Sequence, residues 1–329
     1  MQRQTRQPQK GEQMTIEFIP TKVTVIFSTF NGGMRLKETL SAFSKLAHPD
    51  FGFGIIAVNN NSTDNSGDIL NEYKCSLPLT VLWEEKQGKN HALNNALQKA
   101  DGDLIVFTDD DVIPDKEWLI NLVEAARIHT AFDIFGGTIL PRWPSTPPEW
   151  ISYTTNLGML YAATPNLNDG PISAGAVWGP NMAIRRTALD KAGHFNAQVG
   201  PDGSENYIMG SETELLDRLE NAGHQAWFVK NAVIHHQIRP VQLNRNWALQ
   251  RYFRFGRASY RLSNQRNSCK NFINGVERWL WSAYIKNMVT RIVIGPFLPE
   301  YKLVQLQEQT MFLKGQIYQS KEYSNNSRH

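Results

Sequence analysis

Short apolar runs rich in β-branched and aromatic residues recur along the first third of the chain. They are residues 22–28 (KVTVIFS), 54–58 (GIIAV), 80–83 (TVLW) and 104–107 (LIVF). Runs of this length and composition predict strands buried on both faces. Between them, residues 34–46, 89–100 and, after the turn at Pro114, 115–129 read as helices. Strands alternating with helices predict an α/β domain built on a mostly parallel, doubly wound sheet.

Beyond this region the pattern changes. Residues 141–171 are rich in Pro, Trp and polar side chains and predict a long loop. A helix over 211–222 and a strand over 226–234 follow, and after Pro240 the chain turns helical, basic and aromatic. Within it, 279–294 (WLWSAYIKNMVTRIVI) is expected to be amphipathic. The expected divisions are a disordered lead-in over 1–20, the α/β domain over 21–236, a helical extension over 237–318 and a frayed tail over 319–329.

In an open parallel sheet, ligands bind beyond the carboxyl ends of the strands. Three polar clusters fall at those ends: Ser28-Thr29-Phe30-Asn31, Asn59-Asn60-Asn61-Ser62-Thr63-Asp64 and Asp109-Asp110-Asp111. Their coincidence points to one cleft. Three adjacent carboxylates repel one another unless a cation neutralises them. Mg²⁺ and Mn²⁺ favour oxygen ligands and keep substrate phosphates in their shell. In extended geometry Asp109 and Asp111 would share a side and face the ligand, with Asp110 on the other. A solvated turn is the competing reading, although Asp115 already suits the N-cap of the next helix.

Composition adds limits. With 41% hydrophobic residues among 329, the chain has material for a real core. The net charge of +3 gives no reason to invoke a nucleic acid. No Asp or Glu occurs from Asn221 to Val276, whereas Lys230, Arg239, Arg245, Arg251, Arg254, Arg257, Arg261, Arg266 and Lys270 do. That stretch favours phosphates or an anionic surface. Two distant cysteines, Cys75 and Cys269, argue against a disulfide framework or a zinc site and suit a reducing compartment. Residues 1–13 lack the apolar stretch of a signal peptide, and no run of about 18 apolar residues occurs. The expected location is cytoplasmic, with peripheral contact on the inner face of a membrane through the basic helices.

Taken in order, the segments VTVIFSTFN, AVNNNSTDNS, EEKQGKNHALNNAL, GDLIVFTDDDVIPDKEWL, GPNMAIRRTAL, GSETELLDRLENAGH and NAVIHH resemble glycosyltransferase family two, the GT-A-fold group of inverting enzymes. The resemblance covers roughly residues 22–261. It implies a nucleotide-sugar donor, UDP-linked, a saccharide or glycolipid acceptor, and Mn²⁺ or Mg²⁺ as cofactor. Thr29 and Asn31 would meet the nucleotide. Asn59 stands where the family usually has an Asp contacting the base, and Asn61 belongs to the following turn. Lys89 and Asn94 match the helix before the acidic motif. Asp109 and Asp111 match the DxD motif, Asp111 on the metal and Asp109 on ribose or metal, with Asp110 also at the donor. His235 matches a histidine that approaches the metal.

The family's general base lies in an acidic pair at a helix start; here the pair is Ser211-Glu212, which makes Glu212 the candidate. At about 100° per residue, Glu212 shares a face with Leu215, Leu216 and Leu219, and Glu214 lies opposite with Arg218. Asn181 belongs to a loop bordering donor sugar and acceptor, with Trp178 beside it. Arg254 and Arg257 belong to a stripe, with Arg251 and Arg261, for an anionic acceptor, lipid headgroup or diphosphate; a solvated basic face is the alternative. No QxxRW motif or membrane span is present, so a processive polymerase is not expected. A sugar nucleotidyltransferase and a non-catalytic binding module remain as alternatives.

Overall fold

Val23, Val25, Ile26 and Phe27 are fully buried because their strand, β1 (Lys22–Thr29), lies between two others. β2 (Gly52–Asn59) pairs with it in parallel on one side and β4 (Leu104–Phe107) on the other, while β3 (Leu79–Trp83) pairs with β2. These four give the parallel half of the sheet that the apolar runs predict. The computed structural model describes residues 22–47, 50–204, 207–264 and 272–326. The lead-in expected over 1–20 lies outside them, as do Arg266, Cys269 and Lys270.

Past β4 the sheet becomes mixed. β5 (Val112–Pro114), β6 (Ile134–Arg142), β7 (Gly170–Ile172), β8 (Met182–Arg185) and β9 (Ala226–Gln237) extend it in the order β3-β2-β1-β4-β8-β6-β9-β5, with β7 also on β9. β8 runs antiparallel to both β4 and β6, and β5 antiparallel to β9. Helices cover both faces. α1 (Gly33–Phe43), α2 (Ser66–Tyr73) and α4 (Trp118–Ile128) pack one side, burying Leu36, Leu40, Leu70 and Trp118. α3 (Lys89–Leu97), α7 (Arg186–Ala192) and α8 (Ser211–Asn221) pack the other, burying Leu93, Leu189, Leu215 and Leu219.

The stretch expected as a long loop over 141–171 carries two short helices, α5 (Trp150–Tyr153) and α6 (Leu157–Tyr161). Trp150, Met159, Leu160 and Tyr161 are buried there. They form one apolar cluster with Tyr252 and Val304 of the helical extension, which docks on this segment. A polar anchor reinforces the joint: Glu308 accepts from Thr154 Oγ1 at 2.5 Å and from Thr155 N at 3.1 Å.

The extension consists of α9 (Arg245–Asn264), a small hairpin of β10 (Phe272–Ile273) and β11 (Val276–Glu277), α10 (Arg278–Val293) and α11 (Glu300–Asn326). α11 continues through the stretch expected to fray, and Gln319 and Ser320 are buried in it. α9 and α11 approach so closely that a Cβ at Gly256 would lie 2.0 Å from Phe312 O, and one at Gly315 2.0 Å from Phe253 O. Both clashes are with backbone, so only a shift of the helices relieves them. Gly315→Ala should therefore lower stability by roughly 1–3 kcal/mol; denaturant unfolding compared with an exposed control, Ser282→Ala, measures it.

Candidate active site

Parallel register brings the polar clusters together. Thr29 sits opposite Asn59, and Ile26 opposite Phe107, so the three loops leave the sheet at one edge. Asp110 and Asp111 form a turn between β4 and β5, not a continuation of the strand. The alternation expected of an extended chain is lost there, and all three aspartates line a single cleft of about 270 Å³ with Arg35, Lys89 and Arg239.

Each aspartate has its own partner. Lys89 Nζ donates to Asp109 Oδ1 at 2.5 Å. Thr29 Oγ1 donates to Asp110 Oδ2 at 2.5 Å. Asp111 Oδ1 lies 3.6 Å from His236 Nε2. Burial, with repulsion from Asp111 and Asp109, pushes the Asp110 carboxyl up to about 7 against the opposing Thr29 bond. For Asp111 burial works in the same upward direction, yet His236, Arg35 and Lys89 outweigh it and hold the carboxyl below its usual value. Burial also works against the Lys89 ammonium, but Asp109, Glu212 and Asp111 together raise its pKa. Lys89 is therefore charged at every physiological pH.

The histidine facing the acids is His236, not His235. Adjacent residues on β9 point to opposite faces. His236, paired with Val112, looks towards Asp111, whereas His235 Nε2 lies 3.2 Å from Asp115 Oδ1 on the other side. His236 Nδ1 sits 2.6 Å from Tyr161 O, a contact that requires the proton on Nδ1. Nε2 then either carries a second proton and pairs with Asp111, or turns a bare lone pair towards it. Burial lowers the His236 pKa, but Asp111 and the Tyr161 carbonyl raise it above its usual value, which favours the paired form.

The asparagines expected at the nucleotide build the loops. Asn31, at φ +53°, accepts from Thr63 N at 2.9 Å and Asp64 N at 3.3 Å, tying the first loop to the second. Asn59 Oδ1 accepts from Ser62 N at 2.9 Å. Asn61, at φ +61°, is exposed at the bend. Asn60, which the sequence did not single out, is buried and holds a third loop: Nδ2 donates to Glu84 O and Lys86 O, and Oδ1 accepts from Gly88 N at 2.8 Å. Asn94 is fixed in both directions to the Phe195 backbone and does not line the acidic cleft.

Glu212 opens α8 beside a second cavity, of about 480 Å³, lined also by Met159, Trp178, Met209 and Phe255. Leu215, Leu216 and Leu219 are buried as expected, and Glu214 pairs with Arg218 at 2.9 Å. Glu212 itself makes no hydrogen bond or ion pair shorter than 4.0 Å among the described residues, yet its charge reaches Lys89. One lysine thus links the acidic cleft to the carboxylate at the second cavity.

The sequence profile described as Glycosyl transferase family 2 matches residues 24–193, more than half of the chain. The chain belongs to this family. The matched stretch contains Lys89 and the acidic turn and ends before Glu212. Among relatives, the probable glycosyltransferase YdaM of Bacillus subtilis is 27% identical over 229 residues, 64% of this chain and 50% of YdaM. Glycosyltransferase AglE of Haloferax volcanii is 23% identical over 71% of this chain and 72% of its own length. This chain thus spans about half the length of YdaM. Among solved structures, the Pyrobaculum calidifontis mannosyltransferase PcManGT, in complex with GDP-Man and Mn²⁺, superposes with a TM-score of 0.60 at 17% identity, covering 92% of this chain and 87% of that one. S. aureus TarS 1-349 with UDP-GlcNAc gives 0.53 at 15% identity, covering 93% and 92%. These likenesses establish the GT-A fold for this family-2 chain.

Three further expectations change in the structure. Asn181 is fully buried and saturated: Oδ1 accepts from Trp118 Nε1 at 2.8 Å, and Nδ2 donates to Ala232 O at 2.8 Å and Thr138 O at 3.0 Å. It ties α4 to β6 and β9 and has nothing left for a ligand. Arg257 is buried against α11, bonded to Gln319 and Glu322 and stacked over Tyr318. Arg254 lies over the ring of Tyr207 at 4.9 Å, and Arg251 donates to Met159 O. The expected basic stripe is therefore a packing surface. Two cations do face the acidic cleft: Arg239, from the acid-free basic stretch, and Arg35, which the sequence did not flag and whose Nε is buried without a hydrogen-bond partner among the described residues. Asn181→Leu should cost about 2–4 kcal/mol in stability yet leave nucleotide affinity within about twofold where folded; unfolding and calorimetric titration separate the two.

Proposed function

We propose that this family-2 chain transfers a sugar from a UDP-linked donor to a hydroxyl acceptor with inversion, using a divalent metal and Glu212 as general base. The observation that carries the reading is geometric: Lys89 lies among the three aspartates of the acidic cleft and bonds Asp109, and the neighbouring residues Asn90 and Ser211 bond each other, setting Glu212 at the next cavity beside it. The donor diphosphate would enter the acidic cleft, where Lys89, Arg35 and Arg239 supply positive charge. The acceptor would occupy the cavity beside Glu212 and Trp178. Glu212 takes the proton from the acceptor hydroxyl as its oxygen forms a bond to the anomeric carbon. The bond from that carbon to the diphosphate breaks on the opposite face, and the nucleoside diphosphate departs with the electron pair.

The residues present fit Mn²⁺ or Mg²⁺ as a substrate-assisted ion. Among the described residues no three His, Cys, Asp or Glu side chains form a complete cage. A hard divalent ion needs only one or two carboxylates when diphosphate oxygens and water complete its shell. Asp111, kept ionised by its neighbours, is the first candidate ligand, with Asp109 beside it; His236 could add Nε2 only after giving up the proton it holds towards Asp111. When bound, the metal would neutralise charge developing on the leaving diphosphate. The UDP assignment rests on the family resemblance as a whole; Asn59, which stands where the family usually has an Asp contacting the base, departs from it, and its buried amide oxygen already accepts from Ser62 N. PcManGT and TarS, crystallised with GDP-Man and UDP-GlcNAc, make both nucleotide classes necessary in any panel.

Donor hydrolysis over UDP- and GDP-sugars with Mn²⁺ or Mg²⁺ tests the reading. One nucleoside diphosphate should be released, and Asp111→Ala should abolish its release. Glu212→Gln should lower turnover by about 10²–10⁴-fold with nucleotide affinity within about threefold of wild type. Absence of any metal-dependent nucleotide binding would overturn the donor site.

A further inference from the structure

Helix α10 is built the wrong way round for a helix bathed in water. Its inward face holds a polar residue: Asn287 is buried, donating to Gln309 Oε1 at 2.8 Å and accepting from Thr310 Oγ1 at 2.6 Å. Its outward face carries Ile285, Val289, Ile292 and Val293, each more than half exposed, and Phe297 just past its end is 85% exposed. At 100° per residue these aliphatic side chains, with Trp279, Arg278 and Lys286, fall within an arc of about 140° opposite Leu280 and Asn287. The amphipathicity expected of this stretch is real, but the apolar side points out. A contiguous exposed apolar surface of this kind marks an interaction site.

The charges identify the partner. From Arg278 to Pro299 there is no Asp or Glu, while Arg278 and Lys286 lie on the arc itself. Lys302 follows the turn, and the next acid, Glu300, lies beyond the apolar arc. Aromatic rings stand at both ends of the arc, Trp279 at one and Phe297 at the other, where interfacial residues sit at headgroup level. At 16 residues α10 is too short to cross a bilayer, and no helix among the described residues is long and apolar enough to do so. An apolar arc rimmed by cations with no acid is the design of a helix lying in the plane of an anionic interface. We propose that the outward face of α10, with Phe297, docks this chain on an anionic lipid bilayer. The arginines of α9 are not the contact, because Arg251, Arg257 and Arg261 are bonded to Met159, Gln319 and Gln198 within the fold. The proposal is independent of the transfer chemistry.

Co-sedimentation of the full chain with phosphatidylcholine vesicles, with and without phosphatidylglycerol, tests it. The wild type should bind vesicles containing phosphatidylglycerol and be released by high salt. Ile285→Glu/Ile292→Glu should reduce binding by at least about tenfold. Arg278→Glu/Lys286→Glu should remove the preference for the anionic lipid. All these positions are outside the two cavities, so thermal unfolding and metal-dependent nucleotide binding should match wild type and show that the variants fold. Equal binding by wild type and Ile285→Glu/Ile292→Glu would overturn the proposal, as would equal binding to neutral and anionic vesicles. So would a wild-type dimer that binds no lipid and becomes monomeric in the Ile285→Glu/Ile292→Glu variant, since the face would then join copies of the chain.

Discussion

Three carboxylates in one turn are tolerable because cations stand among them, the ammonium of Lys89 on Asp109 and His236 beside Asp111. At an effective dielectric near 20, two like charges about 4 Å apart repel by roughly 4 kcal/mol, so the turn needs a fixed counter-charge before any ligand arrives. Lys89 is an unlikely residue to be there on local grounds. It opens α3, where the helix dipole disfavours a cation. The preceding Gly88 holds φ +139°, a conformation that other residues rarely adopt, and its N–H is taken by Asn60. The site thus depends on a chain of local geometry. The buried Asn60 shapes the loop, Gly88 permits it, and Lys89 emerges aimed at Asp109.

Part of the architecture is legible along the chain and part is not, for physical reasons. The four parallel strands are continuous apolar runs because both their faces are covered, and that pattern is visible in one dimension. β6 (IFGGTILPR) was missed because Gly136 and Gly137 interrupt its β signal. Those glycines lie under Val177 and Asn181, which are distant in sequence. β8 has four residues and β5 ends in proline, too little for a pattern to register. The acidic turn was found because it follows a buried strand. The assignment of its side chains failed because Asp110 and Asp111 leave the extended geometry that the alternation assumes. His235 and His236 are indistinguishable without the pairing of β5 on β9, which decides the face each presents.

The basic stripe failed for a related reason. Helical spacing placed Arg251, Arg254 and Arg257 on one face correctly, but spacing cannot say what covers that face. Three neighbours do: Met159 O takes Arg251, the ring of Tyr207 lies under Arg254, and Gln319 and Glu322 of α11, brought close by Gly256 and Gly315, receive Arg257. Charge excess in a sequence therefore marks anion contact only where the cations are left to solvent. Arg35 illustrates the converse. It sits in a region of unremarkable charge, yet it lines the acidic cleft with its Nε buried and unbonded among the described residues.

Of the two departures from the family pattern, Asn59 and Ser211, only the second has a structural partner that accounts for it. Asn59 accepts the Ser62 N–H and closes the second loop, which an aspartate would also do. Ser211 is the more informative. Its hydroxyl donates to Asn90 Oδ1, and the orientation of that amide is forced, because Asn90 Nδ2 donates to the carbonyls of Asn196 and Val199. A carboxylate at 211 would face an amide oxygen in a buried site with no proton to share. Asn90 follows Lys89 directly, and Ser211 immediately precedes Glu212. The bond between them therefore locks the start of α3 to the start of α8, and with it the spacing between the cation of the donor cleft and the carboxylate of the second cavity. A serine in the first position of the acidic pair is thus matched to Asn90, and the single remaining carboxylate, Glu212, is the one left without a hydrogen-bond partner among the described residues at the cavity wall.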